Sequence, residues 1–305
     1  MLAYLISRIS QLCATLLVVS MVVFLLGRLS GDPLSLILPP EATEEDFAAA
    51  RHEFGLDQPL WKQYLIYIGR TVRGDLGNSI TARRPVLPLV MERLPNSLKL
   101  AGATIALTLV LAVPLGVLSA VKKGTYIDLG ARLIALLGQS VPSFWLGLIL
   151  LQVFAVWWRV FPFGDTDGVA YYVLPSVTLA AFIIAGIMRL VRSSMLDALD
   201  SEYVKFARCK GVPEWKVIWL HALRNALLPV MTLAGLYLGI LVTGAVVIEE
   251  VFIWPGMGRL AYQAVITRDY PVVQGVVLIT AAVVLAANLL VDALYGYADP
   301  RIRGR

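Results

Sequence analysis

Few residues in this 305-residue chain are of a type and spacing that could break or form bonds. The two histidines, His52 and His221, and the two cysteines, Cys13 and Cys209, are scattered, and the histidines are expected on opposite sides of a membrane, so no metal cluster is expected. Cys13 falls in the first apolar stretch and Cys209 in a cytoplasmic loop, which argues against a disulfide. No Ser-His-Asp or Cys-His set has a plausible shared location. A Gly-x4-Gly-Lys-Ser/Thr phosphate loop is also absent from the sequence, so any ATP hydrolysis has to come from another polypeptide, and no cofactor is expected on this chain.

The carboxylates point to structure before chemistry. An ion-coupled carrier would place ionisable groups near the bilayer midplane, where their burial is costly. Here the apolar stretches are nearly free of charge: Glu249 and Glu250 fall at the outer end of the fifth, and Asp292 near the inner end of the sixth. Capping or ion pairing at a helix end suits Glu249 and Glu250 better than an outer gate, which stays open as the alternative. The polar island Gln139-Ser140-Val-Pro-Ser143 has two readings, lining of a translocation pathway and hydrogen bonding between helices.

The elements that must position these groups are membrane helices. The chain is 58% hydrophobic and 15% charged, with a mean hydropathy of +0.76, whereas soluble domains carry about 25% charged residues. An all-α polytopic membrane fold follows. Roughly 20 apolar residues cross a bilayer, and six stretches of that size occur near 10–29, 98–121, 133–158, 171–191, 228–248 and 272–297. The first lacks a small-residue cleavage site and is expected to be retained as a helix. Pro114 and Pro142 mark expected kinks within the second and third.

Basic residues near short loops resist translocation. Lys122, Lys123 and Arg132, then the run from Arg189 to Arg224, then Arg301, Arg303 and Arg305 all fall on one side, which places both termini in the cytoplasm. The net charge of +5 is accounted for by orientation and lipid headgroups, without nucleic acid. The expected organisation is an N-terminus and first helix over 1–30, an extracytoplasmic segment over 31–96, and a five-helix core over 97–305. Within 31–96, Thr43 ahead of acidic residues starts a short helix, and Trp61, Tyr64, Leu65 and Ile68 share the face of another. That small helical segment could contact a soluble partner or simply cap the helix ends.

Within the core, 196–227 is long for a connection and periodic enough to be helical. Tyr203, Phe206, Ala207 and Lys210 recur at helical spacing, Gly211 stops the helix, and Val212-Pro213 opens another. This pattern resembles the coupling loop of ABC importer permeases, whose Glu-Ala-Ala-x3-Gly signature docks on an ATPase. Aligned on Gly211, the last alanine is Ala207, while Lys205 and Phe206 stand in place of the Glu and first Ala. Tyr-Val-x-x-Ala-Arg-x-Lys-Gly followed by His221-Ala-Leu-Arg-Asn-Ala-Leu-Leu-Pro229 is similar to the dipeptide, oligopeptide, glutathione and nickel subfamily. Further matches run along the chain: Gly31-Asp-Pro33, Leu56-Asp-Gln-Pro59, Arg73-Gly-Asp-Leu-Gly77, Arg93-Leu-Pro-Asn-Ser97, Pro142-Ser-Phe-Trp-Leu-Gly147, Glu250-Val-Phe252, Pro255-Gly-Met-Gly-Arg-Leu260, Arg268-Asp-Tyr-Pro-Val-Val-Gln-Gly275 and Asp299-Pro-Arg-Ile-Arg303.

The resemblance implies a type I importer permease fold, in the first of two permease subunits. It implies a second permease, two ABC ATPase subunits that bind ATP and Mg, and an extracytoplasmic substrate-binding protein. It places docking on Tyr203, Ala207, Arg208, Lys210, Gly211, Glu214 and Trp215. The implied cargo is a di- or oligopeptide, with nickel or glutathione as alternatives. A reading of another class is an ATP-independent carrier or channel.

Overall fold

The computed structural model describes residues 2–29, 43–53 and 57–298. Gly31-Asp-Pro33, Leu56, the Asp292 side chain and the terminal Asp299-Pro-Arg-Ile-Arg303 lie outside what is described. Among the described residues there are helices and no strands. They are α1 (Leu2–Leu29), α2 (Glu44–Glu53), α3 (Leu60–Val72), α4 (Val86–Val121), α5 (Tyr126–Ser140), α6 (Ser143–Leu150), α7 (Val169–Leu199), α8 (Glu202–Cys209), α9 (Glu214–Lys216), α10 (Leu223–Gly244), α11 (Val246–Val251), α12 (Met257–Ile266) and α13 (Tyr270–Ala298). Two π-helical segments, Leu151–Trp157 and Val217–Ala222, extend α6 and join α9 to α10.

Among the described residues five helical spans are long and apolar enough to cross a membrane, and the pair Tyr126–Ser140 and Ser143–Trp157, bent by 96°, makes a sixth if it is counted as one span. The third expected span is therefore not one kinked helix. Pro142 stands at the N-cap of α6, and Val141 and Pro142 are both non-helical, so the chain turns a corner there. Pro114, by contrast, leaves α4 unbroken. The helices also start before their apolar runs: α4 begins at Val86 and carries Glu92, Arg93, Asn96 and Ser97 within it, and α5 begins at Tyr126 with the buried Asp128 in its first turn. The stretch 196–227 contains the end of α7, all of α8, and the start of a helical span running Glu214–Thr243.

The described residues divide into two compact units. One holds the chain up to Pro95 together with Arg259–Ala286. In it Thr43 and Asp46 cap α2 reciprocally, the Asp46 carboxylate accepting the Thr43 N–H and hydroxyl at 2.8 Å each. The α3 face expected from sequence is split: Tyr64 turns to α1, sharing a hydrogen bond with the Ser20 hydroxyl at 2.9 Å, while Trp61 and Leu65 remain exposed. Phe24, Tyr64 and Tyr67 form a ring cluster with centroids 5.5–6.4 Å apart. The buried Asp269 carboxylate, at the N-terminus of α13, accepts from the Ser79 hydroxyl at 2.6 Å and the Thr81 N–H at 3.0 Å.

The second unit holds Asn96–Gly258. Its centre is α7, which packs on α5, α6 and α10 and buries Ile183, Ala185, Ile187, Met188, Val191 and Met195. Lipid tails are as apolar as these side chains, so close packing holds such helices together. A methyl at Gly116 of α4 would lie 2.7 Å from Val191, and one at Gly138 of α5 would lie 2.7 Å from the Ala181 carbonyl, so both contacts depend on the missing side chain.

Candidate functional site

The segment between α7 and α10 is built around α8. This eight-residue helix turns Val204 and Ala207 into the protein and leaves Tyr203, Phe206 and Lys210 outside. Its end is fixed by backbone bonds: the Val212 N–H donates to the Ala207 carbonyl at 3.2 Å and the Gly211 N–H to the Arg208 carbonyl at 2.9 Å. That pairing closes a helix through a left-handed residue, and Gly211 supplies it at φ +74°. Among the described residues nothing lies within 4 Å of where a Gly211 side chain would start, so that side is open.

Charge pairs then order the surface. The Arg208 guanidinium donates two bonds to the Glu214 carboxylate, at 2.7 and 3.2 Å, tying α8 to α9. Lys210 sits 4.6 Å from the centre of the Phe206 ring and Lys216 5.5 Å from that of Trp215. The Glu202 carboxylate raises the Lys205 pKa by hydrogen bonding, with Asp200 adding to it, so the ammonium stays charged at neutral pH. Of the residues expected to dock, Tyr203, Arg208, Lys210, Gly211, Glu214 and Trp215 share this exposed surface, while Ala207 packs inward. Beside it lies a shallow cleft of about 390 Å³ between α7, α8 and α10, lined by Asp197, Tyr203 and Asn225 among others.

The expected pathway residues sit at the 96° corner: Gln139 and Ser143 are half-buried, and Ser140 is exposed with its hydroxyl bonded to the Leu136 carbonyl at 2.8 Å. They do not line the apolar cleft of about 630 Å³ between α4 and α10, which Leu109, Val113, Pro114, Val230 and Met231 help to form.

Glu249 is buried in α11, and its carboxylate accepts the Ser97 hydroxyl at 2.6 Å. The same hydroxyl oxygen accepts the Met257 N–H at 2.8 Å. Next to it, the Asn96 side chain donates to the Pro255 carbonyl at 2.9 Å, and the Trp254 indole N–H donates to the Asn96 carbonyl at 3.2 Å. A methyl on Gly256 would fall on the Glu249 carboxylate. This closure holds Ile253, a β-branched residue, in the left-handed region at φ +54°. The Glu249 carboxylate is hydrogen-bonded within this closure, and Glu250 follows it in the same helix.

A second buried carboxylate, Asp128, accepts from the Ser119 hydroxyl (2.6 Å), the Gly124 N–H (3.1 Å) and the Arg192 guanidinium (2.8 and 3.0 Å). It ties the α4–α5 turn to the end of α7 that leads into α8. Sequence reasoning missed both this site and Ser97. Arg192 is 64 residues from Asp128 and Glu249 is 152 from Ser97, so neither pairing is visible locally, although Ser119 and Gly124 lie only 9 and 4 residues from Asp128.

Comparison with known proteins gives a consistent picture. The family described as "Binding-protein-dependent transport system inner membrane component" matches residues 112–304, and its N-terminal counterpart matches residues 1–101. The oligopeptide transport system permease protein AppB of Bacillus subtilis (strain 168) is 38% identical over 314 residues, covering 99% of each chain. The glutathione transport system permease protein GsiC of Escherichia coli (strain K12) is 41% identical over 304 residues, again covering 99% of each. Among solved structures, a chain of the methionine ABC transporter MetNI, in inward-facing conformations, superposes with a TM-score of 0.58 at 18% identity. That match covers 69% of this chain and 96% of the other.

Proposed function

Because this chain belongs to the family of binding-protein-dependent transport system inner membrane components and is a permease subunit of an ABC importer, we propose that it carries di- or oligopeptides or glutathione into the cytoplasm. It is a multi-pass membrane protein and not an enzyme; ATP is hydrolysed on a separate subunit. Transport drive enters through α8. The observation that carries this reading is the closed, Gly211-ended helix, anchored by Val204 and Ala207, with Tyr203, Phe206, Lys210 and Trp215 facing out. A ridge of that kind fits a groove on a partner.

In this reading one of two ATPase subunits, with ATP and its magnesium ion, holds α8. Movement of α8 passes to α7 and to the π-helical start of α10, against both of which it packs. Gln139, Ser140 and Ser143 line the path at the corner, a second permease completes it, and the extracytoplasmic binding protein delivers the cargo. Both termini lie in the cytoplasm, as the basic residues direct. Glu249 and Glu250 hold the outer end of α10 closed. The carrier alternative finds no support in the buried carboxylates Asp128, Glu249 and Asp269, each of which stands at or near a helix end.

The test separates backbone need from docking. Asn tolerates the left-handed region that Gly211 occupies, so Gly211→Asn should retain assembly and most uptake in proteoliposomes holding the complete complex. Gly211→Trp should leave the membrane-inserted subunit intact but uncouple ATP hydrolysis from uptake, because its side chain points into the open side. Wild-type uptake by Gly211→Trp would overturn the assignment.

A further inference from the structure

Given the importer assembly and orientation proposed above, on which it rests, we propose that Arg83 and Arg268 form a docking site for an acidic face of the soluble extracytoplasmic binding subunit. The two arginines flank the Asp269 carboxylate. On one side, the turn 79–84 is locked: the Ser79 N–H donates to the Arg84 carbonyl at 2.9 Å, the Arg83 N–H to the Ser79 carbonyl at 3.0 Å, and the Ala82 N–H to the Ser79 hydroxyl at 2.8 Å. Ser79 and Thr81 then bond to Asp269, whose chain neighbour is Arg268.

Both arginines sit in the left-handed region, Arg83 at φ +51° and Arg268 at φ +55°. Bulky L-residues rarely take that conformation, and Gly or Asn would relax it. Strain at two positions around one carboxylate fixes where two guanidiniums begin. Both residues are exposed, and neither side chain forms an ion pair among the described residues. The neighbouring acids are occupied: Asp269 is turned inward, Glu92 is held by Arg84 at 2.9 Å, and the Asp75 carboxylate accepts the Gly77 N–H at 2.9 Å.

The surroundings identify the partner's chemistry. Just before Arg268, α12 exposes Tyr262, Val265 and Ile266, which recur at i, i+3 and i+4 as one ridge. An aromatic and aliphatic ridge edged by arginine is the composition of a protein interface, and a planar guanidinium pairs most specifically with a carboxylate. Lipid headgroups, the competing occupant, would attract the charge but need no fixed backbone.

The experiment uses the complete complex in nanodiscs and the soluble binding subunit purified with it from native membranes. Arg83→Asn with Arg268→Asn keeps the backbone conformation accessible and removes both charges. Affinity for the binding subunit should fall about tenfold or more at low salt, with the gap closing at 1 M salt, where screening acts over about 3 Å. Arg83→Glu with Arg268→Glu should fall further. A photocrosslinker at Ile266 should join to the binding subunit, and a Lys at the nearest carboxylate of the captured peptide should restore binding to the Glu pair. Unchanged affinity in the Asn pair, or crosslinks to lipid or the second permease alone, overturns the docking site while leaving the importer reading in place. A purified assembly lacking any ATPase overturns the importer reading itself, and the docking site with it.

Discussion

Replacing Ser97 with Ala tests how the turn after α10 is held. The substitution removes a single oxygen, so it opens almost no cavity. What it removes is a shared hydrogen-bond centre: the hydroxyl that donates to Glu249 at 2.6 Å and accepts from the Met257 N–H at 2.8 Å, at a position 3% exposed. A buried group that loses its partner costs about 1–3 kcal/mol, and the Met257 N–H is such a group here. At roughly 2 °C or more per kcal/mol for a protein of this size, even the lower figure lowers the unfolding midpoint by about 2 °C. The assay is thermal unfolding of the purified complex, followed by tryptophan fluorescence, beside uptake in proteoliposomes. Glu249→Gln keeps an oxygen that can accept from Ser97 and should cost less than Ser97→Ala. Adding Glu249→Ala to Ser97→Ala should cost less than the sum of the two, with a coupling of about 0.5–3 kcal/mol, because each removes the same bond. A midpoint for Ser97→Ala within about 1 °C of wild type would refute the reasoning.

Three further outcomes follow from the geometry. Gly116→Val should overpack the α4–α7 contact, whose would-be methyl already lies 2.7 Å from Val191; a loss of about 1–3 kcal/mol is expected from unfolding or from yield of folded complex. His52 bonds the Asp57 carboxylate at 2.9 Å, which raises its pKa above the ordinary 6.5. The pair's contribution to holding α2 is therefore full below that value and is lost as pH rises through the raised one, so amide exchange in α2, corrected for intrinsic rate, should speed up above neutral pH, and His52→Asn should abolish the dependence. Asp128→Ala should loosen the α4–α5 turn and strand Arg192; the expected readout is faster proteolysis at Lys122 and Lys123 in the folded complex, whereas wild-type resistance would remove Asp128 from any role in fixing α7.

Hydropathy alone located the five long spans, because about 20 apolar residues in a row have few other uses, and the third expected stretch fell on the bent pair. It misplaced the starts of α4 and α5 by a few turns, since polar residues inside those helices interrupt the apolar run and are satisfied by the protein itself. Ser97 in α4 bonds Glu249, and Asp128 in α5 bonds Ser119 and Arg192. Pro142 signalled a disturbance, but a proline fixes only one dihedral, and whether the helix bends or turns a 96° corner depends on what packs around it. The Gly211 helix end was legible because all its signals lie within ten residues. Ala207 was legible as part of the motif but not as an inward-facing residue, since that face is defined by α7 and the start of α10. Ser97 and Asp269 stood within motifs, but their bonds were not legible, because Glu249 and Ser79 lie 152 and 190 residues away; Asp128 stood in no motif, and its Arg192 partner is 64 residues away.

The Ser97–Glu249 bond also sets a schedule for biogenesis. Its two ends are 152 residues apart, and synthesis at about 5–20 residues per second separates their appearance by roughly 8–30 s. During that interval Ser97 has left the ribosome without its acceptor, and Asn96 waits equally for Pro255 and Trp254. The first turns of α4 must therefore remain near water or the insertion machinery until α11 arrives. A pause or truncation before Glu249 would release a chain in which this closure has never formed.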